Sequence, residues 1–259
     1  MAAGRLAFIT GASSGIGQAL AARFHAAGYR LALVARRGDA VSHWAERAQF
    51  AADRHAVYSA DVRDTVAITE AGRACIAAQG LPDVVVANAG ISVGVDTADF
   101  ADLDVMRATW ETNNLGMAAT FCPFVAPMAA RGSGALVGIA SVAGIRGLPG
   151  HAAYCSSKAG VIAYCESLRG ELRTTGVGVV TIVPGYIATP LTSGNRYAMP
   201  FLMTAESFAD RAFAAIESGA SWRVIPWQMG IVAKLMRALP NPLFDRVFAG
   251  RPRKRRRGE

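Results

Sequence analysis

Short apolar runs recur along this chain and alternate with segments whose apolar positions fall at helical spacing. Residues 6–9, 31–34, 56–58, 84–86, 135–139, 177–183 and 224–225 are rich in Val, Ile, Leu, Phe and Tyr and read as strands. Between them the period changes. Ile16, Ala19, Leu20 and Phe24, for example, share one helical face and run to a stop at Gly28. Strand-length runs that are apolar throughout belong to a sheet buried on both faces, and strand–helix alternation makes that sheet parallel. The pattern therefore predicts an α/β fold: a doubly wound parallel sheet of about seven strands with helices on both faces. At 259 residues, 52% of them hydrophobic, the chain can fill one core of this kind. No internal repeat or polar linker divides it, so residues 1–250 are expected to form a single domain.

Two places carry more than packing. The first run leads directly into Thr10-Gly11-Ala12-Ser13-Ser14-Gly15-Ile16-Gly17. A strand, a glycine-rich turn and a helix start put backbone N–H groups and the positive end of a helix dipole where a diphosphate can sit. The spacing is Gly-x-x-x-Gly-x-Gly rather than the commoner Gly-x-Gly-x-x-Gly. Tight strand-to-helix turns recruit glycine in any case, so the turn alone identifies little. The second place is His151-Ala-Ala-Tyr154-Cys-Ser-Ser-Lys158, with Ser141 thirteen residues before the tyrosine. On a helix, Tyr154 and Lys158 share a face with Cβ atoms ~5–6 Å apart. A cation at that range is expected to lower the tyrosine pKa from about 10 and equip the phenol for proton exchange. Ser141 stands where its hydroxyl can hold the same substrate oxygen.

Taken together, the glycine turn, Ser141, Tyr154 and Lys158 resemble the short-chain dehydrogenase/reductase family. Ala87-Asn88-Ala89-Gly90 is similar to the family's Asn-Asn-Ala-Gly signature, with Ala87 in place of the first Asn. Asn113-Asn114-Leu115-Gly116 resembles the segment of its active-site asparagine, carried here to Asn113 with Asn114 as the second choice. Pro184-Gly185-Tyr186-Ile187-Ala188-Thr189 matches the turn that holds the nicotinamide end. The resemblance spans roughly residues 5–190. It implies a Rossmann-type fold and hydride transfer between a nicotinamide and a carbonyl or alcohol carbon. Tyr154 would be the proton donor and Ser141 the hydrogen-bond partner of the oxygen. Lys158 would hold the nicotinamide ribose, and Asn113 would anchor a water that returns the proton through Lys158. Cofactor contacts are implied at Gly11, Ser13, Ser14, Gly15, Ile16, Gly17, Asp61, Val62, Asn88, Ala89, Gly90, Tyr154, Lys158, Pro184, Gly185, Ile187 and Thr189.

The choice of cofactor turns on the end of the second strand, which reads Val34-Ala35-Arg36-Arg37 with no acid until Asp39. An acid there grips the ribose hydroxyls of NAD, whereas arginine accommodates the 2′-phosphate of NADP. Arg36 and Arg37 therefore point to NADP (NADPH). Formal net charge is +8, but residues 251–259 hold six basic residues against Glu259, which leaves +3 for residues 1–250. That tail is expected to be disordered and dispensable for catalysis, since Arg, Lys, Gly and Pro bury little apolar area. A weak contact with anionic membranes is the sharper alternative, helped by an amphipathic segment at 229–239. Nucleic-acid binding is disfavoured, because the tail has no aromatic residue. Cys75, Cys122, Cys155 and Cys165 have no metal-site spacing and fit reduced thiols of a cytoplasmic protein. The longest uncharged stretch, 174–195, is broken by Pro184, Gly185 and Pro190, so it is no spanning helix.

The substrate lid is expected over residues 189–203, where Tyr197, Met199, Pro200, Phe201, Leu202 and Met203 make it mostly apolar. Gly144, Ile145, Leu148, His151 and Tyr186 are expected to line the remainder, with His151 as a hydrogen-bonded loop residue. A hydrophobic small-molecule ketone or alcohol fits such a site. A 3-oxoacyl thioester reductase and a non-catalytic NADP sensor are the alternatives; the sensor is opposed by the presence of both Tyr154 and Lys158. A homodimer or higher homo-oligomer is expected. The family's thioester reductases end in a Gly-Gly turn that builds a tetramer face, and Ser221-Trp-Arg-Val-Ile-Pro-Trp227 stands here instead.

Overall fold

The computed structural model of the protein describes residues 4–250 and 252–258. All seven strand-like runs are strands of one sheet: β1 (Leu6–Thr10), β2 (Arg30–Ala35), β3 (His55–Ser59), β4 (Val84–Ala87), β5 (Gly134–Ile139), β6 (Val177–Pro184) and, beyond a small two-stranded ribbon, β9 (Trp222–Ile225). Their order is β3-β2-β1-β4-β5-β6-β9 and every pairing is parallel. The ribbon pairs β7 (Ile187–Ala188) with β8 (Met203–Thr204) and brackets the expected lid. It was not foreseen, because two-residue strands leave no periodic signal.

The side-chain alternation of each strand divides the core in two. Ala7, Ile9, Leu31, Leu33, Val84 and Val86 face one side, under α1 (Gly15–Ala26), α2 (Gly38–Arg47) and α7 (Ala205–Glu217). Phe8, Ala32, Val34, Val85 and Leu136 face the other, under α3 (Thr65–Gln79), α5 (Gly116–Arg131) and α6 (Ala152–Glu171). The fold is thus the doubly wound α/β arrangement of Rossmann type. Strand order reverses between β1 and β4. Helices that leave these two neighbours cross to opposite faces, and a crevice opens at their carboxyl ends. No described helix is long and apolar enough to cross a membrane.

The basic C-terminal segment takes a place in the fold that its composition does not suggest. Residues 252–258 do not trail into solvent but lie across the carboxyl edge of the sheet. The Gly94 N–H donates to the Arg255 carbonyl at 2.8 Å, and Arg256 pairs with Asp99 and Asp102. Burial of apolar area, the basis of the sequence argument, plays little part in this ordering. Acids 157 and 154 residues away in the chain supply the partners. Arg251 and Glu259 lie outside the described residues.

Candidate active site

The crevice, of about 570 Å³, is built first by the glycine turn. Ser14 is extended and its side chain caps nothing, and the first turn of α1 contains no acid. The leading N–H groups of α1 therefore have no side-chain acceptor and stay available to an anion. Gly17 does not line the crevice. A Cβ there would stand 2.2 Å from the Gly11 carbonyl oxygen, so this glycine lets the helix pack against its own turn. Asn88 ties the ends of β1 and β4 together: its side-chain amide donates to the Thr10 carbonyl at 3.0 Å, and its N–H donates to the Thr10 hydroxyl at 3.1 Å. The remaining residues expected at the cofactor all line the crevice: Gly11, Ser13, Ser14, Gly15, Ile16, Arg36, Arg37, Asp61, Val62, Asn88, Ala89, Gly90, Tyr154, Lys158, Pro184, Gly185, Ile187 and Thr189.

At the rim both arginines are exposed, as is Asp39, which is not part of the lining. Asp61 is engaged by Arg63, whose guanidinium donates at 2.7 Å. These hydrogen bonds, the largest influence, hold its carboxyl below the usual value. Arg63 also lines the crevice and went unnoticed in the sequence, because nothing in its spacing marks it.

Ser141, Tyr154 and Lys158 come together where β5 ends against the start of α6. Ser141 caps a short 3-10 turn, Val142–Gly144, by accepting from the Ala143 N–H at 3.2 Å. Tyr154 and Lys158 lie one turn apart on α6. The expected lowering of the Tyr154 pKa is not observed. Burial pushes the phenol up to about 12, and its hydrogen bond with Ser141 opposes that only in part. The Lys158 ammonium lies 5.9 Å from the tyrosine ring centre and donates to the Ile139 carbonyl at 2.7 Å. Its charge is thus directed to the strand, and burial pulls its own pKa down to about 8.

Asn113 and Asn114 fall in a π-helical turn, Glu111–Leu115, between α4 (Asp102–Trp110) and α5. Asn113 is buried and does not line the crevice. Its carbonyl accepts from the Ile91 N–H at 2.8 Å, and its amide donates to the Ile91 carbonyl and to the Ser157 hydroxyl. Modest space separates it from Lys158. A Cβ on Gly90 would be 3.2 Å from Asn113 Oδ1 and 3.5 Å from Lys158 Nζ, so both groups border the same point. Asn114 instead donates to the Ser157 carbonyl of α6. A π turn is a common device at functional sites because the extra residue re-aims a side chain.

A second cavity of about 480 Å³ adjoins the crevice, and Ser141, Tyr154 and Gly185 line both. Its walls include Leu148, His151, Tyr186, Tyr197, Met199 and Pro200, as expected. Gly144, Ile145, Phe201, Leu202 and Met203 are not among them. Gly144 backs onto the Lys158 main chain, Ile145 packs on the core, Phe201 and Leu202 are half exposed, and Met203 belongs to the ribbon. His151 has both ring nitrogens engaged, with Pro149 O and the Tyr197 hydroxyl. Met229, Val232 and Met236 from α8 (Trp227–Ala238), Phe248 from α9 (Asn241–Phe248), and Lys254 also line the cavity, and no motif or spacing marks them.

A crevice for a dinucleotide at the strand-order switch, joined to an apolar cavity through a serine and a tyrosine, defines a nicotinamide-dependent oxidoreductase of Rossmann type. The chain belongs to the short-chain dehydrogenase family, whose model matches residues 5–199. It is 39% identical over 241 residues to a Myxococcus xanthus protein described as an uncharacterized oxidoreductase, covering 93% of this chain and 95% of that one. Among solved structures, a short-chain dehydrogenase/reductase of Burkholderia phymatum in complex with NAD superposes with a TM-score of 0.81 at 21% identity, over 90% of this chain and 92% of the other. The alcohol dehydrogenase of the archaeon Thermococcus sibiricus, complexed with 5-hydroxy-NADP, gives 0.76 at 24% identity over 85% and 95%. At these identities the two structures speak for the fold.

Proposed function

We propose that this protein is an NADP-dependent reductase of hydrophobic carbonyl compounds, with alcohol oxidation as the reverse reaction. The observation that carries the reading is the position of Ser141 and Tyr154, whose side chains belong at once to the dinucleotide crevice and to the apolar cavity. A carbonyl group held there meets both a hydroxyl pair and the nicotinamide end of the crevice.

When bound, the cofactor supplies the hydride. The chain supplies the rest. Tyr154, with a pKa pushed up to about 12, is protonated at neutral pH and donates to the oxygen as charge develops on it. The Ser141 hydroxyl hydrogen-bonds the same oxygen. Lys158 carries a buried positive charge beside the ribose position, and Asn113 borders it as the anchor for a water-mediated proton return. Uncapped N–H groups of α1 fit a diphosphate. Arg36 and Arg37, on a rim with no acid of its own from Leu31 to Gly38, fit a 2′-phosphate, and this supports NADP over NAD. The apolar walls favour a hydrophobic substrate over a polar one.

The reading also places the protein in the cytoplasm as a homo-oligomer, in keeping with a family of small-molecule enzymes that are typically oligomeric. The experiment is a panel of ketones and alcohols with NADPH and NADH, followed at the nicotinamide absorbance. The parent should reduce apolar ketones with NADPH. Tyr154→Phe should lose at least ~10²-fold in turnover and retain NADPH binding. Turnover within a few-fold of the parent would remove Tyr154 from its role.

A further inference from the structure

The C-terminal segment adds a charge to the apolar cavity. Residues 252–258 bridge the loop before α4 and the lid. Contact with Gly94 is so close that a Cβ there would stand 2.1 Å from the Lys254 carbonyl oxygen. Arg253 packs against Gly150, and Arg256 donates to Asp102 at 2.8 Å. These contacts direct Lys254 into the cavity, where its ammonium is half-buried among the walls that hold Tyr154, His151 and Tyr197.

Lys254 donates to the Leu191 carbonyl and to Asn195 Oδ1, each at 2.8 Å. Both acceptors are neutral, and an ammonium has three N–H bonds. None of the described residues that line the cavity is an acid, and Lys254 forms no ion pair with any described residue. Burial lowers its pKa with nothing acting in the other direction. A partly desolvated cation with only neutral acceptors is unfavourable, and a ligand anion in contact with it relieves that cost.

We infer that Lys254 is a specificity-determining residue and that the cavity takes an amphipathic carbonyl compound bearing a carboxylate. The carboxylate meets Lys254, the carbonyl lies at Ser141 and Tyr154, and the hydrocarbon between them rests on Met199, Met229 and Met236. One ammonium with one free N–H matches a singly charged group better than a phosphate. The inference rests on the reductase reading for the carbonyl end and on Lys254 alone for the anionic end.

The two ends are tested separately. Calorimetry on the full chain with NADP+ present compares decanoate with decanamide, a neutral ligand of the same chain length that the reverse reaction cannot oxidise. The parent should bind decanoate about tenfold or more tightly, in the range of a hydrogen bond to a charged group. Lys254→Met should abolish that preference and Lys254→Arg should keep it. Loosening of the segment alone would weaken both ligands alike, so the ratio reports the charge. Equal binding of the two ligands by the parent, binding of neither, or a preference that survives in Lys254→Met would overturn the inference. A protein that reduces apolar ketones yet has no decanoate preference loses the anion site and keeps the reaction. Decanoate preference in a protein that reduces no carbonyl has the opposite meaning.

Discussion

Lys158 gives a direct measure of what the site costs the fold. Its ammonium is buried, has no acid beside it, and has its pKa lowered from 10.5 to about 8. At pH 7 both the folded and the unfolded chain carry the proton, and a shift of this size corresponds to about 3 kcal/mol of destabilisation. Lys158→Met keeps most of the side-chain volume and removes the charge. It also removes the donor to Ile139 O, which costs about 1 kcal/mol. The variant should therefore be more stable than the parent by roughly 2 kcal/mol at pH 7, or roughly 4–8 °C in melting temperature for a chain of this size. The sign fixes the pH window. A lowered folded-state pKa means that the unfolded chain binds the extra proton between about pH 8 and 10.5, so the parent recovers this stability as pH rises through that interval. The gain from Lys158→Met must fade over the same interval. Other groups that titrate there cancel in the difference between the two proteins. Thermal melts of both, without cofactor, at pH 7 and pH 10.5 provide the measurement. A variant less stable than the parent at pH 7, or a gain equal at both pH values, would refute the reasoning. Reductase activity should be lost at the same time, since a more stable fold here lacks the charge at the ribose position.

Two further outcomes are expected. Arg36→Asp puts an acid where a 2′-phosphate would bind, so NADPH should weaken by at least tenfold while NADH changes little or improves, read as KM for each nucleotide; a parent that already prefers NADH would contradict the cofactor assignment. Truncation after Gly250 removes the partners of Gly94, Asp99, Asp102, Leu191 and Asn195. It should raise the substrate KM several-fold with a small change in melting temperature, and an unchanged KM would return the segment to the dispensable tail that its composition implies.

Much of this protein is legible in its sequence, because local rules govern those parts. The seven strands announce themselves as apolar runs, since a parallel sheet covered on both faces tolerates little else. The glycine turn is readable because the close approach of Gly17 to Gly11 admits no Cβ. The spacing of Tyr154 and Lys158 is readable because a helix repeats every 3.6 residues. Ser141 needed the family resemblance, since a separation of thirteen positions sets no local geometry.

What tertiary structure alone decided involves partners distant in sequence. Spacing predicted an acidified Tyr154, but the buried phenol and a Lys158 ammonium turned to Ile139 reverse that expectation. Desolvation is a property of the surroundings, not of the pair. The same holds for the basic end: its composition describes a chain that cannot order itself, and the fold orders it by placing Asp99 and Asp102 beside Arg256. Lys254 entered the cavity by that route. A sequence records which charges a chain carries, whereas their energies depend on which groups, near or far along the chain, have been folded around them.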